Sequence, residues 1–405
     1  MPQYDVIIAG GGMVGASLAC ALSGQGLRIA QVEAVEPETR GEAGYDDRAI
    51  ALAYGTRRIF DGLQLWDSLA TAATPIHQIH VSDRGHFGMV RMDRADEGLA
   101  AIGYVVPARA IGQVLANAIT DIKGLDVFCP ATVSTVRRSV GAVEVDVSHQ
   151  GSMNTLNARL IVAADGADSP LREQFGIGSV ISDYRQTAIV TNITPQLPHN
   201  NIAYERFTES GPLALLPMSE GRCAVVWTVA STDTEAVMAL DEAGFIEQLQ
   251  SRFGFRLGRL ERVGRRQAWP LRLVRAKESV RERLALVGNA VHTLHPIAGQ
   301  GFNLGVRDIA VLAEVLVDAL NAGEDPGSLA VLQRYADWQR RDHNNVTVFT
   351  DGLARLFSLP LPALGMARSA GMLAFDLLPP AKRLLTRLTM GRSGRTPRLA
   401  RGLPL

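Results

Sequence analysis

The chain has 405 residues, 47% apolar and 20% charged, and its 41 basic and 41 acidic side chains leave a formal net charge of +0. That size supports a large core split over two domains, and the charge balance excludes a whole-molecule field that would gather nucleic acid. Cys20, Cys129 and Cys223 lie far apart with no C-x-x-C pair, which argues against a disulfide framework or a cysteine zinc site and fits a reducing cytoplasm.

The apolar run Tyr4–Ala9 leads into Gly10-Gly11-Gly12-Met13-Val14-Gly15, a small-residue helical segment Ala16–Leu22, and a second apolar run Leu27–Val32 ending at Glu33. This predicts strand, turn, helix and strand of a parallel βαβ unit. Gly10 permits the tight turn, Gly12 lets a pyrophosphate reach the backbone, and Gly15 lets helix and strand pack closely. Glu33 is placed to accept from ribose hydroxyls, which disfavours a 2′-phosphate. The segment Val6–Leu22 lacks the basic start of a signal peptide and carries turn glycines, so it is read as structure.

Leu125–Val136, Ala142–Val147 and Leu160–Ala164 read as strands, the last followed by an Asp165-Gly166 turn with Asp168 or Ser169 as helix cap. Between Thr187 and Val229 short strands alternate with turn clusters, predicting an antiparallel sheet. A buried strand Leu284–Val287 ends at Gly288-Asn289. His295-Pro296 and Gly299–Asn303 then precede a helix over Phe302–Leu320. His292 and His295 have no carboxylate or cysteine at ligand spacing and read as packed or hydrogen-bonded residues, so no metal is assigned.

The expected fold is α/β. A Rossmann-like nucleotide-binding domain covers residues 1–75, 103–177 and 268–334, with an antiparallel substrate domain, 76–102 and 178–267, inserted into it. A C-terminal helical region follows over 335–405. Beyond Asp376 every charged residue is basic, beside apolar Met372, Leu373, Phe375, Leu377 and Leu378. This tail reads either as a surface for an anionic membrane or partner subunit, or as a solvated terminus over its own domain. No apolar stretch reaches transmembrane length. The expected location is cytoplasmic, with the inner-membrane surface as the peripheral alternative.

Taken together, G-x-G-x-x-G, the D-G turn and H-P-x-A-G-Q-G-x-N-L-G-x-x-D over His295–Asp308 resemble the para-hydroxybenzoate-hydroxylase-type flavoprotein monooxygenases. Within them the late motif, Asp47–Leu52, His80–His86 and Phe207–Trp227 resemble the ubiquinone-biosynthesis hydroxylases. The resemblance implies FAD as cofactor, NADH or NADPH as electron donor, O₂, and a polyprenylated phenol as substrate. It places Arg48 near the pyrophosphate and flavin, and Arg109, with Gln113 one helical turn on, at the phosphates or ribose. It assigns Asp165 and Gly166 to FAD packing and nicotinamide binding. Gly288 and Asn289 fall on the ribityl-binding pair, where most members carry aspartate; asparagine keeps an acceptor, so binding is expected to survive. Gly299 belongs to the turn before the flavin-facing helix, Gly301, Phe302 and Asn303 are expected at the pyrimidine edge, and Pro296 is expected to border the substrate. No catalytic side chain is assigned. Leu215, Met218, Val226 and Trp227 are candidates for an apolar channel, with ordinary sheet core the preferred reading. The alternative function is a non-catalytic or reductase FAD component of a quinone-biosynthesis assembly, and a homo-oligomer stays open.

Overall fold

The computed structural model describes residues 3–36, 44–358, 362–392 and 394–405. Strand Tyr4–Ala9 lies between parallel neighbours Ile29–Val32 and Ser152–Ala163, and the parallel order runs out to Leu125–Phe128 on one side and Leu284–Leu286 on the other. A parallel strand covered on both faces is apolar throughout rather than alternating. Val6 and Ile8 enter the core shared with helices Met13–Leu22, Ala108–Thr120 and Gln300–Asn321. Ile7 and Ala9 enter the other core, with the antiparallel strands Ala131–Ser139 and Ala142–His149.

The second sheet is centred on Ser179–Pro195, which pairs antiparallel with Cys223–Ala230 and with Gln267–Ala276. It continues through Gly211–Pro217 to Ile202–Thr208. Two features depart from the sequence expectation. Ile202–Thr208 pairs in parallel with Gln78–Asp83, so the sheet is mixed. Gln267–Ala276, expected in the nucleotide domain from residue 268 on, belongs to this sheet because it hydrogen-bonds along the long central strand.

Alternation with period two sorts this sheet's residues. Leu213, Leu215, Val225 and Trp227 pack with helix Glu242–Phe253, while Ala214, Leu216, Val226, Ala188 and Val190 line a cavity on the opposite face. Of the four residues weighed for an apolar channel, Val226 lines that cavity, and Leu215, Met218 and Trp227 lie in packed clusters.

Helices Leu329–Ser358, Pro362–Asp376 and Pro379–Thr389 complete the chain. Much of the basic tail is turned back on its own protein. Lys382 Nζ is 3.2 Å from Asp96, Arg398 pairs with Glu314 and Asp318, and Arg395 lies 3.6 Å over the Trp338 ring. No helix among the described residues is long and apolar enough to cross a membrane.

Candidate functional site

The first glycine loop is shaped by close backbone approaches. Gly10 has φ +104, and a Cβ there would fall 2.3 Å from the Ala164 carbonyl oxygen; one at Gly15 would fall 1.9 Å from the Gly10 carbonyl oxygen. Gly12 differs. Its φ is −61, and a Cβ would meet nothing within 4 Å. Neither conformation nor packing requires glycine there, yet Gly12 lines the cavity. Glu33 accepts hydrogen bonds from the Gly11 and Val35 amides, so its carboxylate sits against the turn.

The Asp165-Gly166 turn follows directly on the contact with Gly10. Asp165 Oδ2 accepts from the Leu171 amide at 3.1 Å, and Oδ1 is buried without a partner. Burial pushes this carboxyl up, against the lowering effect of its hydrogen bonds. Ser169 caps the helix Pro170–Gln174 by accepting from the Arg172 amide, which settles the choice between Ser169 and Asp168.

The late motif closes the site. A Cβ at Gly288 would lie 3.1 Å from the Val14 side chain, and one at Gly305 would lie 3.2 Å from Gly288 Cα, so this turn rests on the first helix. Ala298 and Gly299 both adopt left-handed φ, 56 and 59, immediately before helix Gln300–Asn321. Asn303 is fully engaged: Oδ1 accepts from the Ala53 amide at 2.7 Å, and Nδ2 donates to the Ala51 and Gly299 carbonyls. Its side chain therefore clamps strand Ala49–Ala53 to the helix start. A Cβ at Gly301 would meet nothing within 4 Å, as at Gly12.

Beneath this turn lies a network that sequence spacing did not reveal. Buried Asp308 accepts from the Gly288 amide at 3.0 Å, the Gln339 amide nitrogen at 2.6 Å, His292 Nε2 at 2.8 Å and His343 Nε2 at 2.6 Å. Burial alone would raise its pKa, but His343 and His292 outweigh that and hold it below the usual carboxylate range. His292 is itself pushed down by burial. His292 is thus a hydrogen-bonded histidine, with a carboxylate partner 16 residues on. Two histidines and one carboxylate also form a set of metal-ligand type, but their spacing is already that of direct hydrogen bonds, which satisfy the carboxylate without an ion. His295 packs edge-on against Tyr184 at 5.0 Å, and burial lowers its pKa to about 4, so it is neutral.

These loops open on one cavity of about 1180 Å³, above the roughly 300–1,000 Å³ of a pocket for one small ligand. Among the residues expected at the site, Gly12, Arg48, Gly166, Gly288, Asn289, Pro296, Gly299, Gly301, Phe302 and Asn303 line it. Gly10, Gly15, Glu33 and Asp165 stand behind the lining. Arg109 and Gln113 are also outside it: Arg109 Nε is 3.5 Å from Asp47, and Gln113 donates to Asn117. The far wall is apolar sheet and helix, including Val226, Phe207, Leu353, Met372 and Phe375, with one acid, Glu205, among the described lining residues. FAD fits this wall of glycines, because the space left beside Gly12 and Gly301 suits a ligand's phosphate and ring rather than any packing within the chain.

Comparison with known proteins agrees. The model of the FAD binding domain family matches residues 3–346. The ubiquinone hydroxylase UbiL of Rhodospirillum rubrum is 39% identical over 99% of this chain and 93% of its own length. The 3-demethoxyubiquinol 3-hydroxylase of Escherichia coli is 29% identical over 96% of this chain and 98% of its own. The p-nitrophenol 4-monooxygenase PnpA of Pseudomonas putida superposes with a TM-score of 0.81 at 20% identity, covering 97% of this chain and 99% of that one, which shows the shared fold. The chain belongs to the FAD binding domain family and is an FAD-dependent monooxygenase, related throughout its length to hydroxylases of ubiquinone biosynthesis.

Proposed function

We propose that this monooxygenase hydroxylates the ring of a 2-polyprenyl-6-methoxyphenol, and that Gly12, Gly288, Asn289, Gly299, Gly301, Phe302 and the backbone of Asn303 hold its FAD. The carrying observation is that Gly12 and Gly301, 289 positions apart, face one cavity with no reason of their own to be glycine. When bound, FAD supplies the redox chemistry, passing electrons from NADH or NADPH to O₂. The protein's tasks are placement and exclusion of water. The start of helix Gln300–Asn321 directs amides and the positive end of its dipole at the cavity, worth about 1–2 kcal/mol to an anion held there. Asn303 keeps that helix start in register with strand Ala49–Ala53. Arg48 is the cation among the described lining residues and is suited to the pyrophosphate.

The apolar wall suits a prenyl chain, and Leu353, Met372, Phe375 and Leu385 bring the C-terminal helices into it. Leu377, Leu378 and Leu384 of the same C-terminal region are exposed, which supports this side as the entry for a prenyl chain. Relatives named as a 3-demethoxyubiquinol 3-hydroxylase and as a ubiquinone hydroxylase support this substrate class. The test is purified holoprotein with 2-geranyl-6-methoxyphenol: NAD(P)H and O₂ consumption should match hydroxylated product measured by mass. NAD(P)H oxidation without product would leave a reductase and overturn the reading.

A further inference from the structure

The geometry points to Glu205 as the residue that meets the substrate's phenolic hydroxyl and takes its proton during oxygen insertion. This rests on the ring-hydroxylase reading and adds the catalytic residue that the motifs do not contain. Glu205 lies in strand Ile202–Thr208, paired with Val81 on one side and Ala214 on the other; Ala214 pairs with Val226, and Val226 with Val190. All five residues of this row line the cavity, so a single carboxylate stands in an otherwise aliphatic row across the sheet. Ala203 and Phe207, two positions either side, line the same cavity.

Among the described residues the Glu205 carboxylate makes no hydrogen bond or ion pair with the protein. An acid kept in an apolar wall without a protein partner costs stability, so its place there calls for a ligand that completes it. A phenolic hydroxyl is the matching donor. Burial pushes the Glu205 pKa up to about 7. The charged groups on surrounding elements, His80 and Asp83 on the neighbouring strand, Arg206 on its own, Asp351 and Arg355 on the covering helix and Arg48 in the cavity wall, do not contribute to that shift. A carboxylate with this poise can take and return a proton near neutral pH.

Its part is proton movement alone. The carboxylate takes the hydroxyl proton as the ring carbon gains its oxygen, and the ring's electrons shift toward that carbon. When the same carbon releases its hydrogen as a proton and the ring regains aromaticity, Glu205 returns a proton to the phenolic oxygen. One atom of O₂ enters the ring as a hydroxyl and the other leaves as water, with two electrons and one hydrogen from NAD(P)H and one proton from solvent, as the monooxygenase activity already requires.

The test compares holoprotein with Glu205→Gln and Glu205→Leu. Both variants should keep their FAD absorbance. With 2-geranyl-6-methoxyphenol, Glu205→Gln should lose about 100-fold in kcat with little change in KM, and the limb of the pH profile near 7 should disappear. A second measurement needs no turnover: 4-nitrophenol bound without NAD(P)H reports its own ionisation by absorbance. Because a carboxylate opposes a neighbouring phenolate, bound probe should ionise at higher pH in the wild-type protein than in Glu205→Gln. Wild-type kcat and pH profile in Glu205→Gln, or identical probe ionisation in both proteins, would overturn the assignment. Wild-type protein that shifts the probe but hydroxylates no phenol would instead remove the functional reading and leave the phenol site standing.

Discussion

Just behind the glycine lining of the cavity a methyl group has no room: a Cβ at Gly15 or Gly10 would run into backbone oxygen at 1.9 or 2.3 Å, while one at Gly12 or Gly301 would point into open space. On the sheet side, Val81, Ala214, Val226 and Val190 share one cavity-lining row with a single carboxylate. The first wall is specified by where the main chain passes and the second by side-chain volume and polarity. A ligand common to many enzymes can be held by backbone, whose chemistry does not vary. A particular ring and tail must be recognised by side chains, which do.

The contrast breaks most sharply at Gly15. Gly15→Val should prevent folding, since the clash is with main-chain oxygen that cannot step aside; the expected loss exceeds about 4 kcal/mol, read as absence of soluble protein or of a cooperative melt. Next comes Asp308→Ala, which leaves the Gly288 amide and both histidines without their acceptor and should cost about 3–5 kcal/mol, measured by denaturant unfolding. Because the folded pKa of Asp308 is depressed, its stabilisation is complete above the ordinary value of 3.8 and fades as pH falls below it. The gap between wild type and variant should therefore narrow only in acid.

Gly12→Val sharpens the distinction within one loop. Its Cβ meets nothing in the protein, so the FAD-free variant should melt like the FAD-free wild type while FAD affinity falls about 100-fold, or about 3 kcal/mol. Flavin absorbance after gel filtration reads this, and a fully yellow variant would reject the loop as a phosphate site. On the other wall, the Glu205 pKa is raised from 4.5 to about 7, so wild-type stability should decline relative to Glu205→Gln as pH rises through that interval. Melting temperatures of both proteins on the acid and alkaline sides of that interval check the sign. Smallest of all, Asn289→Asp keeps an acceptor on an exposed side chain and should change FAD affinity by less than about threefold.

Much of the nucleotide wall is legible in the sequence. Tyr4–Ala9, the glycine turn and the following helix announce themselves because apolar runs and glycines act over a few residues. The motif around Gly299–Asn303 is legible as a turn leading into a helix, but the duty of the Asn303 side chain is not, since its partners Ala51 and Ala53 lie about 250 residues earlier. The partners of Asp308 are hidden for the same reason, with Gln339 and His343 on a separate helix. Glu205 looks like any polar residue in a strand until pairing with Val81 and Ala214 puts it in an aliphatic row.

Local order thus follows from the sequence alone: the βαβ start, the Asp165-Gly166 turn, the alternating strands and the long helix after Gly299, because each depends on neighbours within a turn or two of chain. Tertiary structure decided which strand joined which sheet, as with Gln267–Ala276, which face of the second sheet became cavity, and that a lone carboxylate would stand in it. Those outcomes depend on pairings between segments far apart in the chain, whose register is set by the packing of the whole fold.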